Sequence, residues 1–162
     1  MAGPLHIRTA RPDAAAALAA LHVRTWRETY ADGVPEHVYA RMEEEGPGRW
    51  AKRLEDPDAA TTWVGTERET GELAGFSRAE ATGTGEVRPL LLAGLYVLAR
   101  WHGQGLGHAL LEHAVGDAPA YLWVAEGNDR ALRFYERHGF ALDGERRVDE
   151  RWGGIADLRM VR

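Results

Sequence analysis

The amino-acid sequence predicts an α/β fold of the α+β class, in which helices flank a largely antiparallel central sheet of about six to seven strands. Two observations support this class. Segments with apolar residues at every second position alternate along the chain with segments whose apolar residues recur every three to four positions. Neighbouring strand segments joined by a short turn, such as 61–67 and 72–81, indicate an antiparallel hairpin. Strands separated by a helical segment indicate a parallel crossing.

The first third of the chain predicts one strand followed by helices. Alternation over residues 5–9 indicates a strand, and the segment 14–30 carries an apolar stripe at helical spacing. Pro35 can open a second helix, and 50–54 can form a further helical turn or two. Between them, the acidic stretch 43–48 contains Gly-Pro-Gly and predicts a solvated loop.

The most apolar strand segment is 90–98, which predicts the centre of the sheet because strands buried on both faces lack alternation. The remaining predicted elements are a helix, a short strand, a second helix and two closing strands, at 106–115, 120–125, 129–137, 141–151 and 155–162. Neither an internal repeat nor a linker is visible. We therefore expect residues 1–162 to form a single domain.

The composition limits the classes of protein to which the chain can belong. Its 162 residues carry a formal net charge of −5, which argues against a nucleic-acid partner because nucleic-acid-binding surfaces are basic. No apolar run approaches the roughly 20 residues of a membrane span, and the N-terminal residues are too polar for a signal peptide. We therefore expect a cytoplasmic protein without a membrane partner. Cysteine is absent, and His108 and His113 miss the spacing that puts two ligands on one helix face, so no metal site is expected.

The stretch 95–111 contains the first functional motif. Gly103, Gly105 and Gly107 alternate between an apolar strand and a predicted helix. Backbone N–H groups at a helix start have no partner within the helix, and glycine lets a ligand approach them, so the stretch predicts a cradle for a phosphate group. The alternative is a strand-to-helix turn without a ligand. The spacing is neither the dinucleotide fingerprint nor a P-loop, since His108 follows the last glycine.

Two further stretches add a family resemblance. The chain contains the pattern Asn128-x-x-Ala131-x-x-Phe134-Tyr135-x-x-x-Gly139-Phe140, and an earlier stretch reads Trp26-Arg-Glu-Thr-Tyr30…Pro35. Together with the loop His102-Gly-Gln-Gly105-Leu-Gly107, which is similar to the family motif Arg/Gln-x-x-Gly-x-Gly/Ala, the sequence resembles the GNAT superfamily, in particular a bacterial subgroup of small enzymes. The resemblance implies a GNAT-like sheet and an acyltransferase, an acetyl-CoA-dependent N-acetyltransferase with acetyl-CoA as co-substrate.

The resemblance also implies roles for individual residues. The strand before the loop would pair with the pantetheine arm, the loop N–H groups would hold the pyrophosphate, and Asn128 would orient the arm. Tyr135 would act as general acid and protonate the departing CoA thiolate; the alternative is a core aromatic beside Phe134. The implied cofactor-binding residues are Leu95, Tyr96, Val97, His102, Gly103, Gln104, Gly105, Leu106, Gly107, His108, Asn128 and Tyr135.

The sequence departs from the family pattern at two positions. His102 stands where arginine or glutamine is usual, and Leu91 stands where many relatives of this subgroup carry a glutamate that serves as a candidate general base. Either Glu28, Glu86 or Glu126 supplies the base, with Glu28 as the named candidate, or the amine arrives deprotonated. The sequence alone leaves these alternatives open.

The acceptor side of the site is less defined. Trp26, Tyr30 and Trp152 could line an apolar or cation-friendly pocket, or could simply be core residues. The expected reaction is direct attack of a primary amine, from a small molecule or a peptide, on the acetyl thioester. A catalytically silent acyl-CoA-binding module is the competing hypothesis, and a toxin-like enzyme acting on aminoacyl-tRNA is disfavoured by the negative net charge. A monomer and a homodimer both stay open.

Overall fold

The computed structural model describes residues 4–56, 58 and 60–162. In this part of the chain, seven strands form one sheet in the order β1-β2-β3-β4-β5-β7-β6, flanked by helices. The predicted class and the largely antiparallel sheet are therefore confirmed. The elements are β1 Leu5–Thr9, α1 Ala15–Tyr30, α2 Glu36–Glu55, β2 Ala60–Glu67, β3 Leu73–Ala81, β4 Leu90–Val97, α3 Leu106–Val115, β5 Tyr121–Ala125, α4 Asp129–Arg137, β6 Ala141–Asp149 and β7 Ile155–Val161.

The sheet splits between β4 and β5. These two strands are parallel and pair only at Leu91↔Tyr121 and Leu92↔Leu122, whereas the other neighbouring strands are antiparallel. In the pairing of β3 with β4, Ala93 is an extra residue, since Arg78 lies opposite Gly94 and Ala79 opposite Leu92. Such a bulge bends the strand. A gap therefore opens beside the second half of β4.

Helices cover both faces of the sheet. The side chains of consecutive residues point to opposite faces of a strand, and two neighbours on β3 show what lies on each. The ring of Phe76 lies 5.0 Å from that of Trp50 on α2, whereas the hydroxyl of Ser77 donates to the carbonyl of Leu110 on α3 at 2.9 Å. The sheet therefore lies between α1 and α2 on one face and α3 on the other. As expected from its apolar sequence, β4 lies at the centre of the strand order.

The loop predicted at 43–48 is wrong, because α2 runs without a break through Gly46 and Pro47. A proline inside a helix costs about 3 kcal/mol, but packing against α1 outweighs this local preference. Trp50 is only 2% exposed, and a Cβ at position 46 would lie 3.1 Å from the Cβ of Ala19, so glycine there lets the two helices approach closely. Although α2 has 20 residues, none of the helices in the described part of the chain is apolar enough over a sufficient length to cross a membrane.

The predicted closing strand 141–151 ends two residues early, at Asp149. Residues 150–152 instead form a 3₁₀ turn, in which the Asp149 carboxylate accepts the backbone N–H of Arg151 at 3.0 Å. Gly153 follows with a φ of 80°, and a Cβ at this position would lie 2.6 Å from the Cδ of Pro35. The turn therefore needs glycine, and it places Trp152 beside α1.

Candidate active site

Two cavities meet where β4 and β5 part. The larger, here named the glycine-loop cleft, has a volume of about 890 Å³ and is lined by the end of β4, the following loop and α4. The smaller, here named the aromatic pocket, has a volume of about 300 Å³ and lies between β4, β5, β7 and α1. The residues that line both cavities are Leu95, Tyr96, Asn128, Ala131 and Tyr135. A group that passes from one cavity to the other must pass these residues.

The glycines of the loop set its backbone conformation. Gly103 and Gly105 have φ angles of 73° and 83°, a left-handed conformation that costs other residues roughly 1–2 kcal/mol. The space around the missing Cβ atoms is open within 4 Å, so the requirement is conformational rather than steric. Gly105 precedes α3, which begins without a side-chain cap. The first N–H groups of α3 therefore lack acceptors within the helix and are available to an anion in the cleft.

The other residues predicted around the loop differ in what they present to the cleft. Residues 95–97 line it, and the pairing of β4 with β5 stops at Leu92, so this part of β4 has a free edge. The side chain of Gln104 instead donates to the carbonyl of Arg100 at 3.0 Å. Leu106 is 3% exposed and packs into the core. Leu106 can therefore serve a ligand only through its backbone, and Gln104 is absent from the lining of the cleft.

His102 fastens the glycine loop to the end of β4. Its Nε2 lies 2.8 Å from the carbonyl oxygen of Val97, and its Nδ1 accepts a hydrogen bond from Arg130 of α4. Burial lowers the pKa of His102; the Val97 carbonyl opposes this shift and the charge of Arg130 adds to it. The imidazole is therefore neutral at pH 7, with its proton on Nε2. A histidine and an arginine from another helix together occupy the place of the arginine or glutamine in the family motif.

Basic side chains line the glycine-loop cleft, although the whole chain has a net charge of −5. Arg130 and Arg137 of α4 both face it. Nδ1 of His138 donates to the carbonyl of Phe134 at 2.7 Å, which leaves Nε2 to accept from Nδ1 of His108 at 2.9 Å. Apart from His108, these residues were missed in the sequence, where the available signal was the basic character of α4. The positive charge of Arg130 and Arg137 favours an anionic ligand.

Asn128 and Tyr135 both lie on α4 and face the junction of the two cavities. The Oδ1 of Asn128 accepts the backbone N–H of Ala131 at 3.2 Å and so caps the helix. Tyr135 lies two helical turns further on and is only 8% exposed. Burial raises its pKa, and the neighbouring Tyr96 adds to this shift. The phenol therefore keeps its proton at neutral pH and can act as a hydrogen-bond donor or an acid.

The three aromatic residues proposed for the acceptor side lie together in the aromatic pocket. The ring centroid of Trp26 lies 5.0 Å from that of Tyr30 and 5.4 Å from that of Trp152. Trp26 is 8% exposed, and among the described residues its buried Nε1 has no hydrogen-bond partner. Trp26 faces the hydroxyl of Tyr96. Burial raises the pKa of Tyr96, and the neighbouring Trp26 partly opposes this shift. These side chains also belong to the core, so the pocket and core roles coincide.

A half-buried carboxylate that was missed in the sequence lies in the same pocket. Asp157 of β7 pairs with Ala125 of β5 and with Arg147 of β6, and its Oδ2 accepts from Nε of Arg147 at 3.3 Å. Burial raises the pKa of Asp157, and Arg147 opposes that shift. Its charge also adds to the effect of burial in raising the pKa values of Tyr30 and Tyr96. The only signal in the sequence was an acidic residue within a largely apolar closing strand.

The acidic residues considered as bases in the sequence lie elsewhere. Glu28 accepts the backbone N–H of Ala99 at 2.7 Å and lines the glycine-loop cleft, not the aromatic pocket. Glu86 accepts from the hydroxyl of Tyr121 at 3.2 Å, and Glu126 accepts from Arg146 at 2.9 Å. Both glutamates are absent from the lining of the two cavities. Leu91, at the usual glutamate position, lines the aromatic pocket. The carboxylates that line the aromatic pocket are instead Glu80, Asp149 and Asp157.

Comparison with known proteins identifies the family. The model of the acetyltransferase (GNAT) family matches residues 16–140. An uncharacterized N-acetyltransferase of Mycobacterium tuberculosis is 31% identical over 137 residues, which cover 80% of this chain and 84% of that protein. The protein therefore belongs to the GNAT family of acetyltransferases, and the predicted family is confirmed.

Solved structures share the fold at lower sequence identity. The PaiA N-acetyltransferase of Thermoplasma acidophilum, crystallised in complex with coenzyme A, has a TM-score of 0.74 and 16% identity, with 98% of each chain covered. The apo form of YjaB from Escherichia coli has a TM-score of 0.71 and 24% identity, covering 97% of this chain and 96% of that one. Family membership and fold together support an acyltransferase activity with an amine acceptor.

Proposed function

We propose that the protein transfers an acetyl group from acetyl-CoA, bound in the glycine-loop cleft, to a primary amine of a small molecule or peptide bound in the aromatic pocket. The observation that carries this proposal is that Tyr135 lines both cavities at their junction. A buried phenol at this point is within reach of a thioester on one side and an amine on the other. Holding the two reactants together supplies much of the rate of such a transfer.

The residues of the glycine-loop cleft fit acetyl-CoA. The uncapped start of α3 and the left-handed Gly103 and Gly105 provide N–H groups for the pyrophosphate, and Arg130 and Arg137 provide positive charge. The free edge of residues 95–97 can pair with the amide groups of the pantetheine arm. When bound, acetyl-CoA supplies a thioester whose carbonyl carbon is attacked by amines. PaiA, which shares the fold, was crystallised in complex with coenzyme A, and this supports coenzyme A as the type of ligand.

Tyr135 is proposed as the general acid. Its pKa is raised by burial, so it is protonated at neutral pH, and its hydroxyl can donate to the sulfur as the CoA thiolate departs. Because such a phenol is a weaker acid than a thiol, this role depends on the position of Tyr135 and not on its acid strength. In the balanced reaction, a bond forms between the amine nitrogen and the acetyl carbon while the bond from that carbon to sulfur breaks. Tyr135 gives its proton to sulfur, and the nitrogen loses one proton. Asn128, fixed as the cap of α4, orients the arm.

We propose Asp157, rather than Glu28, as the group that receives the proton of the amine. Asp157 lines the aromatic pocket, where the amine would lie, and its pKa is raised by burial. A raised pKa makes an aspartate a stronger base than it is in water. Glu28 lines the other cavity, and its carboxylate already accepts the N–H of Ala99. Leu91 then needs no catalytic role, because the base comes from β7 instead of β4.

The proposal is tested by following release of the CoA thiol with a panel of primary amines. We expect at least one amine to raise thiol release above the rate of hydrolysis, and Tyr135→Phe to lower kcat by about 100-fold, the usual contribution of a general acid. Tyr121→Phe is the matched control, because Tyr121 is equally buried but lines neither cavity. If acetyl-CoA binds but no amine raises thiol release, the protein is an acyl-CoA-binding module and the proposed reaction is wrong.

A further inference from the structure

The charged groups that line the aromatic pocket, three arginines and three carboxylates, are unevenly paired. Each carboxylate in its lining is already held by an arginine: Glu80 by Arg78 at 3.1 Å, Asp149 by Arg151 at 2.7 Å, and Asp157 by Arg147 at 3.3 Å. Arg53, which also lines the pocket, has no ion pair among the described residues. Its guanidinium instead lies 5.0 Å from the ring of Trp50. Among the three arginines of the lining, Arg53 is therefore the one that forms no ion pair in the described part of the chain.

Arg53 lies beside a second cation. Arg78 is only 7% exposed, and it donates through Nη1 to the hydroxyl of Thr62 at 3.0 Å. The pKa of Arg53 is lowered, first by desolvation and then by the like charge of Arg78, with Glu80 opposing. At the same end of the pocket, burial and the charge of Arg53 lower the pKa of His22 to about 3, so this histidine is neutral. Two guanidinium groups thus share one end with a single carboxylate.

The rim of the same end is also basic. Arg41, Glu45, Arg49 and Arg53 recur at every fourth position of α2 and therefore lie on one face of the helix. The guanidinium groups of Arg41 and Arg49 lie 5.5 and 5.8 Å from the ring of Trp152, which lines the pocket. Only one acidic residue belongs to this face, and it pairs with Arg49. An anion that approaches the pocket from α2 meets an attractive field, in spite of the negative charge of the whole chain.

We propose that the acceptor amine carries an anionic group, a carboxylate or a phosphate, which Arg53 binds with Arg78 beside it. This inference rests on the proposed function, since it names the class of amine that the aromatic pocket accepts. A planar guanidinium binds a carboxylate or phosphate through two parallel hydrogen bonds. An anion here would form an ion pair with Arg53, and the aromatic rings would contact the apolar part of the acceptor.

The sheet register gives the approximate length of the pocket along β4. Arg78 lies opposite Gly94 on β4, whereas Tyr96, at the junction with the glycine-loop cleft, lies two residues further along the same strand. Two strand residues span about 7 Å. The volume of about 300 Å³ lies at the lower limit of usual ligand sites. A small molecule with its amine and its anion separated by a few bonds fits both limits.

Matched pairs of amines test the inference. The pairs are 4-aminobutyrate with butylamine, phenylalanine with phenethylamine, and phosphoethanolamine with ethanolamine, so that each pair differs in one anionic group. We expect kcat/KM for the anionic member of each pair to exceed that for its partner by about tenfold or more. Comparison of the carboxylate pairs with the phosphate pair shows which anion is preferred. Arg53→Gln should abolish the preference. Lys52→Gln, which removes an equal charge from the neighbouring exposed position outside the pocket, should keep it.

Calorimetric titration of the same amines into the protein saturated with coenzyme A separates the two proposals. If amines are acetylated but the anionic members show no preference in rate or binding, the anion site is overturned and the acetyltransferase stands. If no amine is acetylated but anionic members still bind in a manner that Arg53→Gln removes, the anion site stands and the proposed reaction fails. If neither acetylation nor Arg53-dependent binding is found, both are overturned.

Discussion

The imidazole of His102 lies 2.8 Å from the carbonyl oxygen of Val97 and thereby ties the glycine loop to the strand that precedes it. Because the imidazole acts as a donor to this carbonyl, a glutamine amide can replace it. We predict that His102→Gln retains acetyl-CoA affinity within about twofold, whereas His102→Ala weakens it by about tenfold through loss of the hydrogen bond. Calorimetric titration with acetyl-CoA measures both. Equal affinity in all three proteins would contradict this role of His102.

Gly105 offers a direct test of the phosphate cradle. Gly105→Glu places a carboxylate beside the N–H groups of α3, and we predict that it abolishes acetyl-CoA binding without unfolding the protein. Gly85→Glu is the matched control, since Gly85 also has a positive φ, of 95°, and open space around its missing Cβ, but lies outside both cavities. Both variants should lose similar stability in thermal melts. Acetyl-CoA affinity lost equally in both variants would argue against the cradle.

Asp157→Asn separates activity from stability. We predict a loss of about 100-fold in kcat/KM, the lower part of the range for a general base. In the wild type, kcat/KM should fall as the pH drops through the raised pKa of Asp157, and this limb should be absent in the variant. A carboxyl whose folded pKa is raised stabilises the fold at low pH, and that contribution is lost as the pH rises through the folded value. Asp157→Asn should therefore not lower the melting temperature at pH 7.

Asp143 provides the contrast to this result. It pairs with Arg159 at 2.7 Å outside both cavities, and its pKa is lowered by hydrogen bonds to Glu145 and Arg159, which outweigh desolvation. Its ionised form therefore stabilises the fold above the unfolded pKa, and this contribution is lost as the pH falls. Asp143→Asn should lower the melting temperature at pH 7 and leave kcat/KM unchanged. An activity loss equal to that of Asp157→Asn would contradict the assignment of the base.

His22 makes the fold sensitive to acid. Its pKa is lowered from 6.5 to about 3 by burial and by Arg53, so the unfolded state binds a proton that the folded state does not. As the pH is lowered from 6.5 towards 3, this residue alone should lower the free energy of unfolding by up to about 1.4 kcal/mol per pH unit. In urea titrations at pH 7, 6 and 5, His22→Phe should show a smaller loss than the wild type. His37→Gln, at an exposed position of α2, should match the wild type.

Most of the sheet could be predicted from the sequence, because strand and helix patterns are local. The apolar segment 90–98 indicated the central strand, and β4 occupies that place. The segment 43–48 was predicted to be a loop but lies inside α2, and the physical reason is clear. Gly-Pro-Gly disfavours a helix locally, but the close contact of Gly46 with Ala19 is made between two helices and leaves no periodic signal in the sequence.

The cofactor half and the acceptor half of the candidate site differ in how far the sequence alone predicts them. The glycine loop and the start of α4 are single stretches whose chemistry lies in their own backbone and caps, so the sequence by itself determined their position and the family to which the chain belongs. The acceptor half was decided only by the tertiary structure. Arg53, Arg78 and Asp157 come from α2, β3 and β7, and they line one small pocket only because folding brings these three elements together.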